Sequence, residues 1–188
     1  MSDINQRNFV LENRARVTGP IVEIGSRYYG GSMQNNFRPD FPGLSYVGID
    51  LTRGKGVDLV CDLTGDIQWF GSRFQTAICL SVMEHCAQPF KMAENITRLL
   101  DPEAVLFLSV PFVWRIHGFP DDYWRFTPAA IRLLFPAFTV DETASYCTSK
   151  GQGNKFPLKL KSLSPPPIPG STYSLYPQLL NMLLVKRA

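Results

Sequence analysis

The chain has 188 residues, 45% hydrophobic and 19% charged, with a formal net charge of +3, which fits one globular domain and excludes a disordered or fibrous chain. The basic residues do not cluster (Arg14 and Arg16, Arg53 and Lys55, Lys159 and Lys161 lie far apart), so nothing argues for a nucleic-acid partner. The N-terminal residues lack the apolar core of a signal peptide and no 18-residue apolar run occurs, so a soluble cytoplasmic protein without membrane contact is expected.

Residues 3–17 read as a helix capped by Asp3, with Ile4, Val10, Leu11 and Val17 as loosely periodic apolar positions. Gly19-Pro20 ends it. The stretch Pro20–Gly31 then runs from a short apolar strand, Ile21 to Ile24, into a loop that opens at Gly25 and closes at Gly30-Gly31. The crossover from Arg27 to Gly43 is poor in helix formers, so an irregular loop is expected there, with a short helix at Ser32–Phe37. Tyr46–Asp50 is a second strand that closes on an acid. A polar turn follows at Thr52–Gly56, then a third strand at Val57–Leu63, which contains Asp62.

Phe74–Ser81 is a fourth strand, apolar almost throughout, as a strand covered on both faces should be. Pro89–Leu100 is the clearest helix, with Met92, Ile96, Leu99 and Leu100 on one face and Asp101-Pro102 as its stop. Ala104–Val110 is a fifth strand. An aromatic-rich loop follows (Phe112, Trp114, Phe119, Tyr123, Trp124, Phe126), able to serve either as a lid over an acceptor or as core packing. Thr127-Pro128 starts a helix through Ile131 and Leu134. Phe138–Tyr146 is a sixth strand, 149–172 a Gly/Pro-rich excursion and Gln178–Lys186 a closing strand.

This order predicts one α/β domain over 1–188. Its sheet is seven-stranded, doubly wound, Rossmann-like and mostly parallel, with a C-terminal antiparallel hairpin strand. Ligands of such sheets bind at the carboxyl ends of the strands, where a glycine loop after one strand and an acid closing the next hold a nucleoside ribose. Cysteines 61, 79, 86 and 147 form no Cys-x-x-Cys pair and match no familiar zinc spacing. They read as reduced structural thiols, and no metal is expected.

Four segments together resemble a class I S-adenosylmethionine-dependent methyltransferase of the small bacterial, type 11-like kind. They are Val22-Glu23-Ile24-Gly25-Ser26, Tyr46–Leu51, Ile78–His85, and Leu99–Pro102 with Leu106–Pro111. Asp122–Pro128 resembles a segment that recurs after the fifth strand in one branch of these enzymes. The chain departs from the pattern at Arg27, where a second glycine is usual, at Gln75 and at Glu103-Ala104.

The resemblance implies S-adenosyl-L-methionine as cofactor and methyl transfer to a small or medium acceptor, such as a sugar or metabolite hydroxyl. It implies that Asp50, followed by Leu51, takes the ribose hydroxyls, and that Asp62 and Leu63 meet the adenine. Glu23, Gly25 and Ser26 would lie beneath the methionine moiety, and Leu80 and Ser81 would face cofactor and acceptor. Bland readings stand beside these: a turn-forming acid for Asp50, a strand-end cap for Asp62, and for Arg27 either pairing with the cofactor carboxylate or plain solvation. His85 and His117, the two histidines of the chain, are the candidate general bases. Two other functions remain open, a cofactor-binding but catalytically silent subunit and an NAD-dependent oxidoreductase. The second lacks Gly-x-Gly-x-x-Gly and a helix to receive a pyrophosphate.

Overall fold

A computed structural model describes residues 4–30, 36–67, 73–118, 121–148, 155–158 and 178–188. The Asp3 cap, Gly31, most of the Ser32–Phe37 helix, Phe119 and most of the 149–172 excursion lie outside the described residues. The strands are β1 (Ile21–Ile24), β2 (Tyr46–Asp50), β3 (Leu59–Val60), β4 (Phe74–Leu80), β5 (Leu100–Pro111), β6 (Phe138–Val140), β7 (Tyr146–Thr148), β8 (Lys155–Pro157) and β9 (Leu179–Lys186). They form one sheet in the order β3-β2-β1-β4-β5-β9-β7-β8, with β6 also paired to β9. From β3 to β5 every pairing is parallel. β9 runs antiparallel to β5, from Val105 opposite Val185 to Pro111 opposite Leu179.

Both faces are covered, as continuous apolar strands require. Helix α1 (Ile4–Glu12) lays Phe9 and Val10 on one face beside Ile21, Ile78, Leu80 and Phe107, and Phe9 meets Phe107 edge-on. Helices α2 (Pro89–Leu99) and α3 (Pro128–Leu134) cover the other, where Met92, Ile96, Ile131 and Leu134 pack on Ala77, Cys79, Leu106 and Leu108. The expected start of α3 is realised: the Thr127 side chain accepts from the Ala130 N–H, with Pro128 in the first turn. Among the described residues no helix is long and apolar enough to cross a membrane.

Local side-chain chemistry reshapes three of the expected elements. The first helix stops at Glu12, where Asn13 Nδ2 donates to the Phe9 carbonyl, and Ile4 faces outward while Asn5 and Gln6 are buried. The third strand shrinks to two residues, because Asp58 turns its carboxylate onto the Gly48 N–H and Asp62 folds onto Thr64. The sixth strand breaks into β6 and β7, since Asp141 Oδ1 accepts from the Thr143 and Ala144 N–H groups and imposes a turn; both pieces still pair with β9. Asp101-Pro102, expected as the helix stop, lies inside a strand: α2 ends at Leu99 and the chain passes directly into β5 at Leu100.

Candidate active site

The carboxyl ends of β1 and β2 are locked together. Gly25 sits at φ +75°, and a Cβ there would come within 2.4 Å of Val82 Cγ2, so both its conformation and the loop after β4 require glycine. The Gly25 and Ser26 N–H groups both donate to the Ile49 carbonyl, at 2.9 and 3.1 Å. Arg27 then donates its N–H to Asp50 Oδ2 at 3.1 Å and its guanidinium to Thr52 Oγ1 at 2.7 Å, while stacking over Tyr29. The expected polar turn at 52–56 packs against this loop: Lys55 O accepts from the Tyr28 N–H, and a Cβ on Gly48 would strike the Gly56 carbonyl at 2.1 Å.

The other cofactor candidates occupy diverse positions. Asp50 is half-buried at the end of β2, with Oδ1 accepting from the Thr52 N–H. Leu51 is exposed. Asp62 accepts from the Thr64 N–H and hydroxyl at 2.8 Å each, which is a turn cap, and Leu63 is buried in the core with its carbonyl held by Asn95. Glu23 is buried in β1; Oε2 accepts from the Tyr46 hydroxyl at 2.7 Å, while Oε1 and the Ser26 hydroxyl have no hydrogen-bond partner. Burial pushes the Glu23 carboxyl up to about 8, against the pull of the Tyr46 hydroxyl and of Arg38 and Arg7.

At the end of β4, Leu80 is buried and Ser81 adopts φ +54°, a conformation rare outside glycine. Ser81 Oγ accepts from Gln6 Nε2 at 2.6 Å, and the same amide lies 3.0 Å from Ser109 Oγ at the end of β5. Ser109 in turn donates to Asn181 of β9. This buried polar chain ties α1 to the strand ends, and the sequence reading misses Gln6 altogether.

The two histidines converge. Glu84 and His85 lie in a single 3-10 turn just after β4, and His117 in the loop after β5; the imidazole centroids stand 5.0 Å apart, edge to face. His85 Nδ1 is 2.5 Å from the Asp121 carbonyl, and His117 Nδ1 is 3.0 Å from Asp122 Oδ2. Both partners are pure acceptors, so Nδ1 is the donor in each ring, and in the neutral imidazole Nε2 is the acceptor. Asp122 is clamped by two hydrogen bonds from Arg125, at 2.5 and 2.7 Å, which hold its carboxyl well below the usual range. Burial lowers the His85 pKa and raises Glu84 to about 7. Of the aromatic loop, Phe126 is core, whereas Tyr123 and Trp124 are largely exposed; their N–H groups close onto the Glu84 carbonyl and bring the loop to the end of β4.

Solved structures share this fold. A Burkholderia thailandensis 1,6-didemethyltoxoflavin-N1-methyltransferase, bound to 1,6-didemethyltoxoflavin and S-adenosylhomocysteine, superposes at TM-score 0.65 with 14% identity, over 98% of this chain and 79% of that one. The fold is that of the class I S-adenosylmethionine-dependent methyltransferases. The N-methyltransferase NodS of Bradyrhizobium japonicum, in complex with S-adenosylhomocysteine, matches the same fold at TM-score 0.60 and 12% identity, covering 98% and 86% of the two chains. A SAM-dependent methyltransferase from Archaeoglobus fulgidus matches at TM-score 0.61 and 11% identity, covering 97% and 93%. No family model matches the sequence, and no curated protein matches it.

In this methyltransferase fold the glycine loop, Asp50 and the two histidines share the carboxyl edge of the sheet, where open α/β sheets bind ligands. A separate cavity lined by Asn13, Ala144, Tyr146 and Phe156 lies by β7 and β8, beyond β9 from the glycine loop, and holds none of these groups.

Proposed function

We propose that the chain is a cytoplasmic, single-domain S-adenosylmethionine-dependent methyltransferase that acts on a small or medium acceptor, such as a sugar or metabolite hydroxyl. One observation carries this reading: the Gly25–Arg27 loop is tied to the Asp50 carboxylate at 3.1 Å, on the sheet edge that also carries the His85–His117 pair. The residues suit the cofactor. Asp50 is a carboxylate able to accept from two ribose hydroxyls, and the unpartnered Glu23 Oε1 and Ser26 Oγ are buried polar atoms beside the loop that a cofactor ammonium and carboxylate can satisfy. Leu51 follows Asp50 at the ribose, Asp62 and Leu63 border the adenine, and Leu80 and Ser81 the reacting centre. Arg27 gives its backbone N–H to Asp50 and its guanidinium to Thr52, and so shapes the loop on the side where the cofactor's carboxylate would lie.

When bound, the cofactor supplies a methyl group on a sulfonium that is already a good electrophile. The chain's own work is to align the acceptor, exclude water and take the acceptor's proton. His85, kept neutral by burial and with Nε2 free to accept, is the base nearest the end of β4; His117, oriented by Asp122, stands beside it.

A labelled-methyl screen over sugars, nucleosides and small phenols tests the reading. Wild-type protein should transfer label to one acceptor class, and His85→Ala or His117→Ala should cut turnover while S-adenosylhomocysteine affinity stays within about twofold. Heat protection by NAD but not by S-adenosylhomocysteine would overturn it.

A further inference from the structure

We propose that Glu84, His85 and His117 form a binding site for one divalent transition-metal ion, a site the sequence gives no reason to expect. Each of the three offers a ligand atom, and these atoms all lie within 4.8 Å of one another. Among the described residues this is the group of His, Cys, Asp and Glu side chains so arranged; the four cysteines contribute nothing to it. Ligands of a tetrahedral zinc ion stand about 3.4 Å apart, so the set closes on an ion by side-chain movements of roughly 1 Å. His85 and His117 are only partly buried and can make them.

Two independent features point to an ion rather than to a chance meeting of polar groups. Glu84 is almost fully buried, yet its Oε2 has no hydrogen-bond partner, an expense that proteins seldom leave uncompensated. The supporting shell is that of a metal site. A ligating histidine nearly always gives its second N–H to a backbone carbonyl or a carboxylate, which fixes the ring and leaves the other nitrogen as donor to the metal. His85 gives Nδ1–H to the Asp121 carbonyl, and His117 gives Nδ1–H to Asp122, itself held by Arg125.

Two imidazoles and one carboxylate select zinc, cobalt, nickel or ferrous iron over magnesium and calcium, which prefer oxygen donors throughout. Three protein ligands leave a coordination position for water or for an acceptor oxygen, as in catalytic rather than structural sites. In the loaded protein His85, His117 and Glu84 would hold the ion, which would lower the pKa of a bound acceptor hydroxyl so that its proton passes to solvent; in the ion-free protein the imidazole itself takes that proton. Binding of the ion does not depend on the methyltransferase reading; only its use does.

The test titrates the chelator-treated protein with Co²⁺, followed by its visible absorption, and with Zn²⁺ by calorimetry. One ion per chain is expected, with affinity falling at least 10-fold in His85→Ala, His117→Ala and Glu84→Gln, and roughly 10- to 100-fold in Asp122→Ala through loss of ring orientation. Should Glu84→Gln fail to fold, the partly exposed His117→Ala carries the test. Binding that survives both histidine variants, or that vanishes on blocking the cysteine thiols, overturns the proposal, as does no binding at all. S-adenosylhomocysteine binding measured in parallel separates the two readings, since either ligand can bind without the other.

Discussion

Asp122 grips His117 twice: its Oδ2 accepts the His117 backbone N–H at 2.7 Å and lies 3.0 Å from Nδ1 of the same residue. The carboxylate is held by the Arg125 fork from the other side, so it stays ionised over any working pH and fixes one tautomer of the ring. The segment Asp122–Phe126 is thus a device for placing an imidazole at the end of β4, with the Tyr123 and Trp124 N–H groups on the Glu84 carbonyl as its anchor.

Replacing Asp122 by Asn keeps the size and removes the charge. The Arg125 fork then loses its charge-assisted partner, and stability should drop by about 1.5–3 kcal/mol in urea unfolding. Turnover should fall roughly 10- to 100-fold because the His117 ring is no longer held, while S-adenosylhomocysteine affinity stays put. A parallel loss of ligand affinity would make Asp122 a general support of the fold instead.

Asp50 gives the opposite pattern. Its carboxylate is the acceptor for the Arg27 and Thr52 N–H groups, and it is the group proposed to take the ribose hydroxyls. Asp50→Asn should raise the S-adenosylhomocysteine Kd by roughly 10- to 100-fold, the worth of a charge-assisted hydrogen bond. Turnover at saturating cofactor should change far less, because the acceptor side is untouched. Isothermal calorimetry and saturation kinetics separate the two effects, and an unchanged Kd would remove Asp50 from the cofactor site.

Much of the scaffold is legible in the sequence because its signals are local. Ile21–Ile24 and Phe74–Leu80 are apolar runs of strand length, and Pro89 and Thr127-Pro128 announce helix starts. The misreadings arise where a single carboxylate overrides periodicity, as Asp141 does in breaking the sixth strand and Asp58 in shortening the third. At the site, Asp50 and the glycine loop are readable as neighbours because a parallel sheet aligns successive strand ends. The meeting of His85 with His117 is not, since it depends on hydrogen bonds between segments distant in sequence. Gln6 is the extreme case: a polar residue in a helix, buried to satisfy hydroxyls 75 and 103 positions away.

Gly25 offers a test of the cradle independent of activity. Ala at this position meets both a positive φ and the Val82 side chain at 2.4 Å. Gly25→Ala should cost about 1–3 kcal/mol and weaken S-adenosylhomocysteine binding. Pairing it with Val82→Ala removes the collision but not the backbone strain, so the double variant should recover only part of the loss relative to Val82→Ala alone. Full recovery would mean that the backbone at Gly25 tolerates a side chain and that packing alone demands glycine. Urea denaturation of the four proteins completes the cycle.

Glu23 predicts how stability depends on pH. Its carboxyl titrates at about 8 in the folded chain and at its ordinary value, 4.5, once unfolded. Between those values the folded state holds a proton that the unfolded state has lost, so the Glu23 contribution to stability falls as pH rises and levels off above about 8. The limiting slope is about 1.4 kcal/mol per pH unit. Gln at this position stays neutral throughout and can still accept from the Tyr46 hydroxyl. The Glu23→Gln variant should therefore match wild type near pH 4.5 and gain on it steadily toward pH 8. Glu84, raised by burial to about 7, adds a slope of the same sign, and His85, lowered by burial, adds one of opposite sign. Both are present in the two proteins and cancel in the comparison. Urea unfolding of the pair across this range decides the matter: stability curves that run parallel would show that Glu23 ionises in the folded protein as readily as in the unfolded one.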